Sequence, residues 1–305
     1  MNGVIPLFKP KEMTSHGCVA KIRHMIGIKK VGHTGTLDPD VEGVLPICVG
    51  EATKIIPFLS SLKKVYESTV SLGVSTTTED ASGEIVESKE ITMLPAKAEI
   101  EAVLTSFTGE ITQVPPMYSA VKVKGKKLYE YARENLTVER PKRQVIIHKL
   151  ERIDVDEGNT SNHTFSIRIH CSKGTYIRTL CVDIGKALGY PAHMASLQRT
   201  ETDSVNIRDT VTFVEIEKAI YEERVNKFMI PIENMLEHIP TWQVDKQMKI
   251  KVLHGQKLSL PEGFSDNYIK VMYENQLLAI YEKVSDDNHL IKPTRVFNLH
   301  KKKVN

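Results

Sequence analysis

Apolar and polar positions change period several times along this chain, and each change marks an element. Val4 to Phe8 is an apolar run of strand length. Thr14 or Ser15 then stands at a helix N-cap position ahead of Val19, Ile22 and Ile26, which share one helical face. Val44 to Val49 is a second apolar run, followed by Ile55, Ile56 and Leu59 at helical spacing. Alternation at Tyr66, Ser68, Val70 and Leu72 predicts a strand. Ile100, Val103, Leu104 and Phe107 fall at i, i+3, i+4 and i+7, predicting a helix from Ala98 to Phe107 that Gly109 stops. Gln144 to Asp154 and Thr164 to Cys171 read as two strands joined by the turn Glu157-Gly158-Asn159-Thr160. Ile177, Leu180, Cys181, Ile184 and Leu188 form a helical face that ends at Gly189. Beyond Pro240 and Trp242 come a short helix ending at His254-Gly255-Gln256 and strand candidates near Tyr268–Met272, Leu277–Glu282 and Ile291–Phe297. Strands and helices mix without regular βαβ alternation, which predicts an α+β fold.

At 305 residues the chain exceeds a typical single domain, so a large domain with a smaller one is expected. A 41% hydrophobic and 26% charged composition is that of a globular protein. No apolar run reaches membrane-spanning length and the N-terminus has no leader pattern, so no membrane association and a cytoplasmic location are expected. Cys18, Cys48, Cys171 and Cys181 are widely spaced without CxxC, which favours reduced thiols over a disulfide framework or zinc site. The formal charge is only +3, but its distribution is uneven. Between Lys122 and Gln144, Lys122, Lys124, Lys126, Lys127, Arg133, Arg140, Lys142 and Arg143 face only Glu130, Glu134 and Glu139. With Tyr129 and Tyr131 interleaved, this segment suits a phosphate backbone and stacked bases, or a solvated amphipathic helix.

The candidate chemistry centres on Gly32-His33-Thr34-Gly35-Thr36-Leu37-Asp38-Pro39-Asp40-Val41-Glu42-Gly43. Three glycines and an Asp-Pro step make a built loop, in which Pro39 pushes Asp38 toward extended geometry and fixes the angle of its carboxylate. An isolated Asp-Pro is more often an ordinary turn with a solvated carboxylate. The surrounding blocks alter that balance. They include Lys9-Pro10 with Thr14-Ser15, Gly43 to Lys54, Lys64-Val65-Tyr66, Pro116 to Lys122, Gly125 to Arg133 and Cys171 to Thr179. In this order, over most of the chain, they resemble the tRNA pseudouridine-55 synthase family, the TruB type of RNA-modifying enzyme.

The resemblance implies the pseudouridine synthase fold, a mixed and largely antiparallel sheet with flanking helices, over residues 1–238. A basic RNA-binding insertion lies near 119–144, and a small β-rich PUA-like RNA-binding domain occupies 239–305. It implies isomerisation of a uridine in the tRNA TΨC loop: base flipping, cleavage of the N1 glycosidic bond, rotation, and reattachment through C5. Asp38 matches the family's essential aspartate, Arg178 its arginine partner, and Tyr66 the aromatic that packs on the base and is a proposed proton acceptor at C5. His33 matches a residue that fills the vacated space or stacks on RNA. Tyr176 and Leu197 match pocket residues, and Lys9 a lysine supporting the loop. No cofactor or metal is expected, since no Walker loop, GxGxxG or ligand cluster is evident. The T-arm of tRNA is the expected partner and a monomer the expected state.

Two departures from the family pattern stand out: acidic Asp40 and Glu42 follow Asp38, and Thr77 stands where aspartate is usual. If Asp40 and Glu42 face the pocket, they disfavour ionisation of Asp38 and repel RNA. Competing readings are a tRNA-binding folding chaperone, a guide-RNA-dependent pseudouridine synthase, and a glycosidase pairing Asp38 with Asp40 or Glu42.

Overall fold

The computed structural model of the chain describes residues 1–59, 63–153, 163–202, 205–284 and 287–299. Its main feature is a nine-stranded sheet. Along its path stand Gly3–Lys9, Glu42–Val49, Ala192–Thr202, Lys64–Leu72, Thr164–Cys171, Arg143–Ile153 and Gly109–Gln113, with two short strands attached at its sides. Neighbours along the path pair antiparallel, except that Ala192–Thr202 runs parallel to Glu42–Val49. The expected mixed, largely antiparallel α+β architecture is therefore what the chain adopts. The expected turn at Glu157–Thr160 lies outside the described residues.

The helices form where the apolar spacing places them. Ser15–Ile26 begins at Thr14, whose hydroxyl accepts from Gly17 N, and stops at Gly27 in the left-handed region. Lys97–Ser106 buries Ile100 and Leu104. Ile177–Ala187 buries Ile177, Leu180, Cys181 and Ile184 against the sheet. A Cβ on Gly185 would lie 2.2 Å from that of Ala192, so this glycine lets the helix approach the central strand Ala192–Thr202. The helical stretch expected around Ile55–Leu59 is instead a 3₁₀ turn, Gly50–Ile55, continued by a single turn, Ile56–Leu59. The four cysteines are buried and none is joined in a disulfide; burial pushes the thiol of Cys171 up to about 11 and that of Cys181 up to about 12.

The strand Ala192–Thr202 occupies the middle of the sheet, yet the apolar pattern gives no sign of it. Against Lys64–Leu72 its register shifts twice, between Met194 and Ser196 and between Arg199 and Glu201. Each bulge resets which side chains point inward, so period-2 alternation never accumulates. Gly43 serves the junction on the other side: with φ 114°, it packs so close that a Cβ would lie 2.2 Å from the carbonyl oxygen of Arg199.

A separate sheet closes the chain, in the order Thr241–Gln243, Tyr268–Tyr273, Gln276–Val284, Asp287–Val296 and Leu258–Ser259. Val252, Leu258, Ile269, Val271, Leu278, Tyr281 and Ile291 form its own core. A second cluster joins it to the main sheet, combining Val4, Val44, Ile55 and Leu59 with Met272, Leu277, Ile280 and Phe297. A polar clasp lies beside that cluster. Lys54 Nζ donates to the Glu51 carboxylate (2.5 Å) and to the Val296 carbonyl (2.7 Å), and Asn298 N donates to Glu51 (3.1 Å).

Burial of Glu51 pushes its pKa upward, but the hydrogen bonds from Lys54 and Asn298 and the charges of Lys54 and Lys30 outweigh that and hold it below the ordinary value. A depressed folded-state pKa contributes stability that is present above the unfolded value and lost as pH falls through the folded one. Glu51→Gln should therefore lower stability at neutral pH by about 1–2 kcal/mol. Denaturant titrations should show the loss shrinking as pH drops below about 4.5.

Candidate active site

The Asp38 loop is held from beneath by buried polar side chains. Lys9 is fully buried, and its Nζ donates to the carbonyl oxygens of Pro10 (2.8 Å), Pro39 (2.8 Å) and Val41 (2.7 Å). All three ammonium protons are thus committed, and burial lowers its pKa. The hydroxyl of Ser15, at the start of its helix, accepts from Leu37 N (2.9 Å) and donates to Leu37 O (3.0 Å). Arg199 is also fully buried; its Nε donates to Val44 O (2.7 Å) and its Nη2 to Gly35 O (3.2 Å). Leu37 and Val41 face the core while Asp38 between them stays half exposed.

Arg178, in the first turn of Ile177–Ala187, meets that carboxylate with Nη2 3.1 Å from Asp38 Oδ2. Its side chain is buried and fixed from two directions: Nη1 donates to Thr78 O (3.0 Å) and Nη2 to Tyr118 O (2.9 Å). Asp80 stands on its other side, Oδ2 3.6 Å from Nη1. The Asp80 carboxylate is itself oriented by Thr78 Oγ1 (2.6 Å), Ser82 Oγ (2.6 Å) and Ser82 N (3.0 Å). One guanidinium therefore joins Asp38 to two segments distant in sequence, the loop of Thr78 and Asp80 and the stretch at Tyr118. Neighbouring Thr179 donates to Glu79 (2.6 Å), whose carboxyl burial pushes up.

Beside this pair opens a cavity of about 310 Å³, lined by Thr34–Asp38, Tyr66, Ser119, Tyr176–Arg178, Leu197 and Arg199 among others. That is room for a single base with apolar walls and a few polar groups. Tyr66 is buried in the strand Lys64–Leu72; burial pushes its phenol up, and the charge of Arg199 only partly offsets this. A phenol so placed is protonated at neutral pH, which suits packing and hydrogen-bond donation better than proton abstraction. Tyr176 is positioned by Gln113, whose buried amide accepts from Tyr176 N (2.9 Å) and donates to Tyr176 O (3.1 Å).

Asp38, Tyr66, Tyr176, Arg178 and Leu197 thus share one cavity, while Lys9 lies behind it. His33 is not among the lining residues. It packs edge-to-face on His16, with ring centroids 5.2 Å apart, and burial followed by the charges of His16 and Arg199 lowers its pKa. Of the two acidic departures, Glu42 accepts from Gln198 (3.1 Å) and Asp40 is exposed at an adjoining cavity that also reaches Asp38 and Arg178.

The basic segment starts at the cavity wall. Ser119 and Ala120 line it, followed by the hairpin Lys122–Val123 and Lys126–Lys127 and the helix Leu128–Arg133, anchored by buried Leu128. Lys122, Lys124, Arg133, Lys142 and Arg143 are exposed. Lys127 and Arg133 both sit over Tyr129, 5.3 and 5.2 Å from its centroid, and Lys126 pairs with Glu134 beside Tyr131. Arg140 is committed inward, its Nη1 donating to Pro115 O (3.0 Å).

Residues 23–177 match the family model described as TruB family pseudouridylate synthase (N terminal domain), and residues 178–237 that described as tRNA pseudouridylate synthase B C-terminal domain. The chain is 55% identical over 307 residues to a tRNA pseudouridine synthase B of Oceanobacillus iheyensis, covering 100% of both. To the tRNA pseudouridine synthase B of Listeria innocua serovar 6a it is 48% identical, over 98% of this chain and 99% of that one. Among solved structures it is similar to a chain of a Cbf5-Nop10-Gar1 complex, with a TM-score of 0.75 and 27% identity over 97% of this chain and 84% of that one. A chain of an H/ACA RNP bound to a substrate RNA containing 2'-deoxyuridine gives a TM-score of 0.73 and 25% identity, over 97% and 85%.

Four residues around the cavity escape sequence reading. Asp80 sits in a polar loop, Gln113 at the end of a short strand, Ser15 at a helix start, and Arg199 on a strand without alternation. Only Ser15 carried a local signal, as a candidate cap. The anchoring role of Lys9 is directly measurable. Lys9→Met leaves the carbonyls of Pro39 and Val41 without their donor, so it should cost about 2–4 kcal/mol of stability. Turnover should fall at least about tenfold with little change in RNA affinity, because the carboxylate is displaced rather than removed.

Proposed function

The chain belongs to the TruB family of pseudouridylate synthases, and from that premise we propose that it converts the uridine at position 55, in the TΨC loop of tRNA, to pseudouridine. The observation that carries this reading is the Asp38–Arg178 ion pair at the edge of a base-sized cavity floored by Tyr66. A uridine stacked in a folded loop is extruded into that cavity. Its N1–C1′ bond then breaks, the ring turns, and a C5–C1′ bond forms while the C5 proton leaves and N1 takes one up. Asp38 supplies the carboxylate for the covalent or proton-transfer step, and Arg178 holds it in place. Tyr66 packs on the base, and Tyr176 and Leu197 close around it. His33 meets the RNA outside the cavity, near the loop it belongs to.

The tRNA is held by shape and phosphate contacts more than by base sequence. The exposed cations from Lys122 to Arg143, beginning beside the cavity, are suited to the T-arm backbone. Residues 1–238 act as the catalytic domain, with 119–144 as its RNA-binding insertion. Residues 239–305 act as a PUA-like RNA-binding domain, and the enzyme works as a monomer in the cytoplasm.

The structural likeness to chains from Cbf5 and H/ACA complexes favours a second reading, in which a guide RNA selects the target. High identity over the full length of proteins named tRNA pseudouridine synthase B supports the stand-alone reading. Tritium release from C5-labelled uridine in an unmodified tRNA transcript separates the two. Purified protein alone should release tritium, and a transcript with cytidine at the target should yield none. Asp38→Asn should lower the rate by at least about 10⁴ while tRNA affinity stays within about threefold. Release that requires an added guide would favour the second reading, and full activity of Asp38→Asn would remove the aspartate from the chemistry.

A further inference from the structure

Among the described residues Arg199 is the largest fully buried side chain, and it takes part in no ion pair. A buried cation without a carboxylate is costly, and two carbonyl oxygens supply only partial compensation. Its third nitrogen, Nη1, is buried and has no hydrogen-bond partner. Arg199 lies directly across from Tyr66 in the pairing of the two central strands, and both line the base-sized cavity. Two other unpartnered buried polar atoms, Thr34 Oγ1 and Ser119 Oγ, belong to residues lining the same cavity. Three of the six such atoms among the described residues thus belong to residues lining this cavity, which indicates a site whose electrostatics are completed by what enters it.

The reaction supplies what is missing. When the N1–C1′ bond breaks heterolytically, its electron pair stays on the uracil, and the ring carries a negative charge spread over N1, O2 and O4. The charge disappears once C5 donates a pair to C1′, C5 loses its proton and N1 gains one. We propose that Arg199 is the charge-setting and positioning residue of the base pocket: a permanent cation across from Tyr66 that stabilises the departing uracil anion while tying Gly35 and Val44 to the central strand. This rests on the pseudouridine synthase reading above. Arg178 serves the carboxylate side of the reaction, and Arg199 the base side. The two cations divide the two negative charges between them.

The test compares single-turnover rates of the wild type, Arg199→Met and Arg199→Lys on tRNA carrying either uridine or 5-fluorouridine at the target. Fluorine withdraws electrons and stabilises the anion without help from the protein. With uridine, Arg199→Met should lose about 10²–10³ in rate, with tRNA affinity within about threefold. Arg199→Lys should recover at least about tenfold of that loss, and the deficit of Arg199→Met should shrink at least about tenfold with 5-fluorouridine. Equal deficits with the two bases, or equal losses for Met and Lys, would mean that Arg199 only holds the fold and would overturn the proposal. Inactivity of the wild type on uridine would instead defeat the underlying functional reading. Should Arg199→Met not fold, the wild type decides through ligand competition. 5-Nitrouracil, ionised at neutral pH, should displace tRNA at least about tenfold better than neutral uracil, and equal competition would overturn the proposal.

Discussion

The site depends on one constraint: the backbone carbonyls of the Asp38 loop are buried outside any ladder, and side chains must satisfy them. A loop rich in glycine with an Asp-Pro step pairs few of its own polar groups, Val41 N with Asp38 O being one such bond, and burying the rest unpaired is expensive. Lys9, Ser15 and Arg199 provide the donors to Pro39, Val41, Leu37, Gly35 and Val44. They come from the first strand, the first helix and the central strand, so the loop conformation is set by the main sheet as a whole. The dependence is mutual, because two of the three donors are cations that would be severe liabilities in a core without those carbonyls.

Arg178 applies the same economy on the exposed side. It is buried at the head of a helix whose apolar face is fixed by the sheet, and it reaches three separate segments through Asp38, through Thr78 and Asp80, and through Tyr118. The Tyr118 carbonyl adjoins Ser119 at the cavity wall, so the segment carrying the basic hairpin is keyed to the same guanidinium that orients Asp38. The hairpin and the cavity are thereby referred to one guanidinium.

Much of this was legible in the sequence, for identifiable reasons. The helices Ser15–Ile26, Lys97–Ser106 and Ile177–Ala187 carry clean apolar stripes and good stops, and the strands Lys64–Leu72 and Thr164–Cys171 alternate cleanly. Asp38 and Arg178 were legible as a pair only through family resemblance, since nothing local relates residues 140 positions apart. The central strand was illegible because its two bulges erase the period, and Arg199 vanished with it: a charged residue on a polar-looking segment gives no hint of complete burial. Asp80 and Gln113 were hidden for another reason. Their importance lies in whom they meet across the fold, and neither stands in a distinctive local pattern.

The cluster that joins the two sheets has a consequence for how the protein is made. Val4 and Val44, near the start of the chain, are sealed by Met272, Leu277, Ile280 and Phe297, near its end. During synthesis the first strands leave the ribosome long before their cover exists, so an apolar face of the main sheet stays uncovered until the second sheet has been made. Polypeptide released before the second sheet is made would present that face to other chains. The second sheet therefore completes the core of the first, and chains that lack it are the ones left to chaperones and proteases.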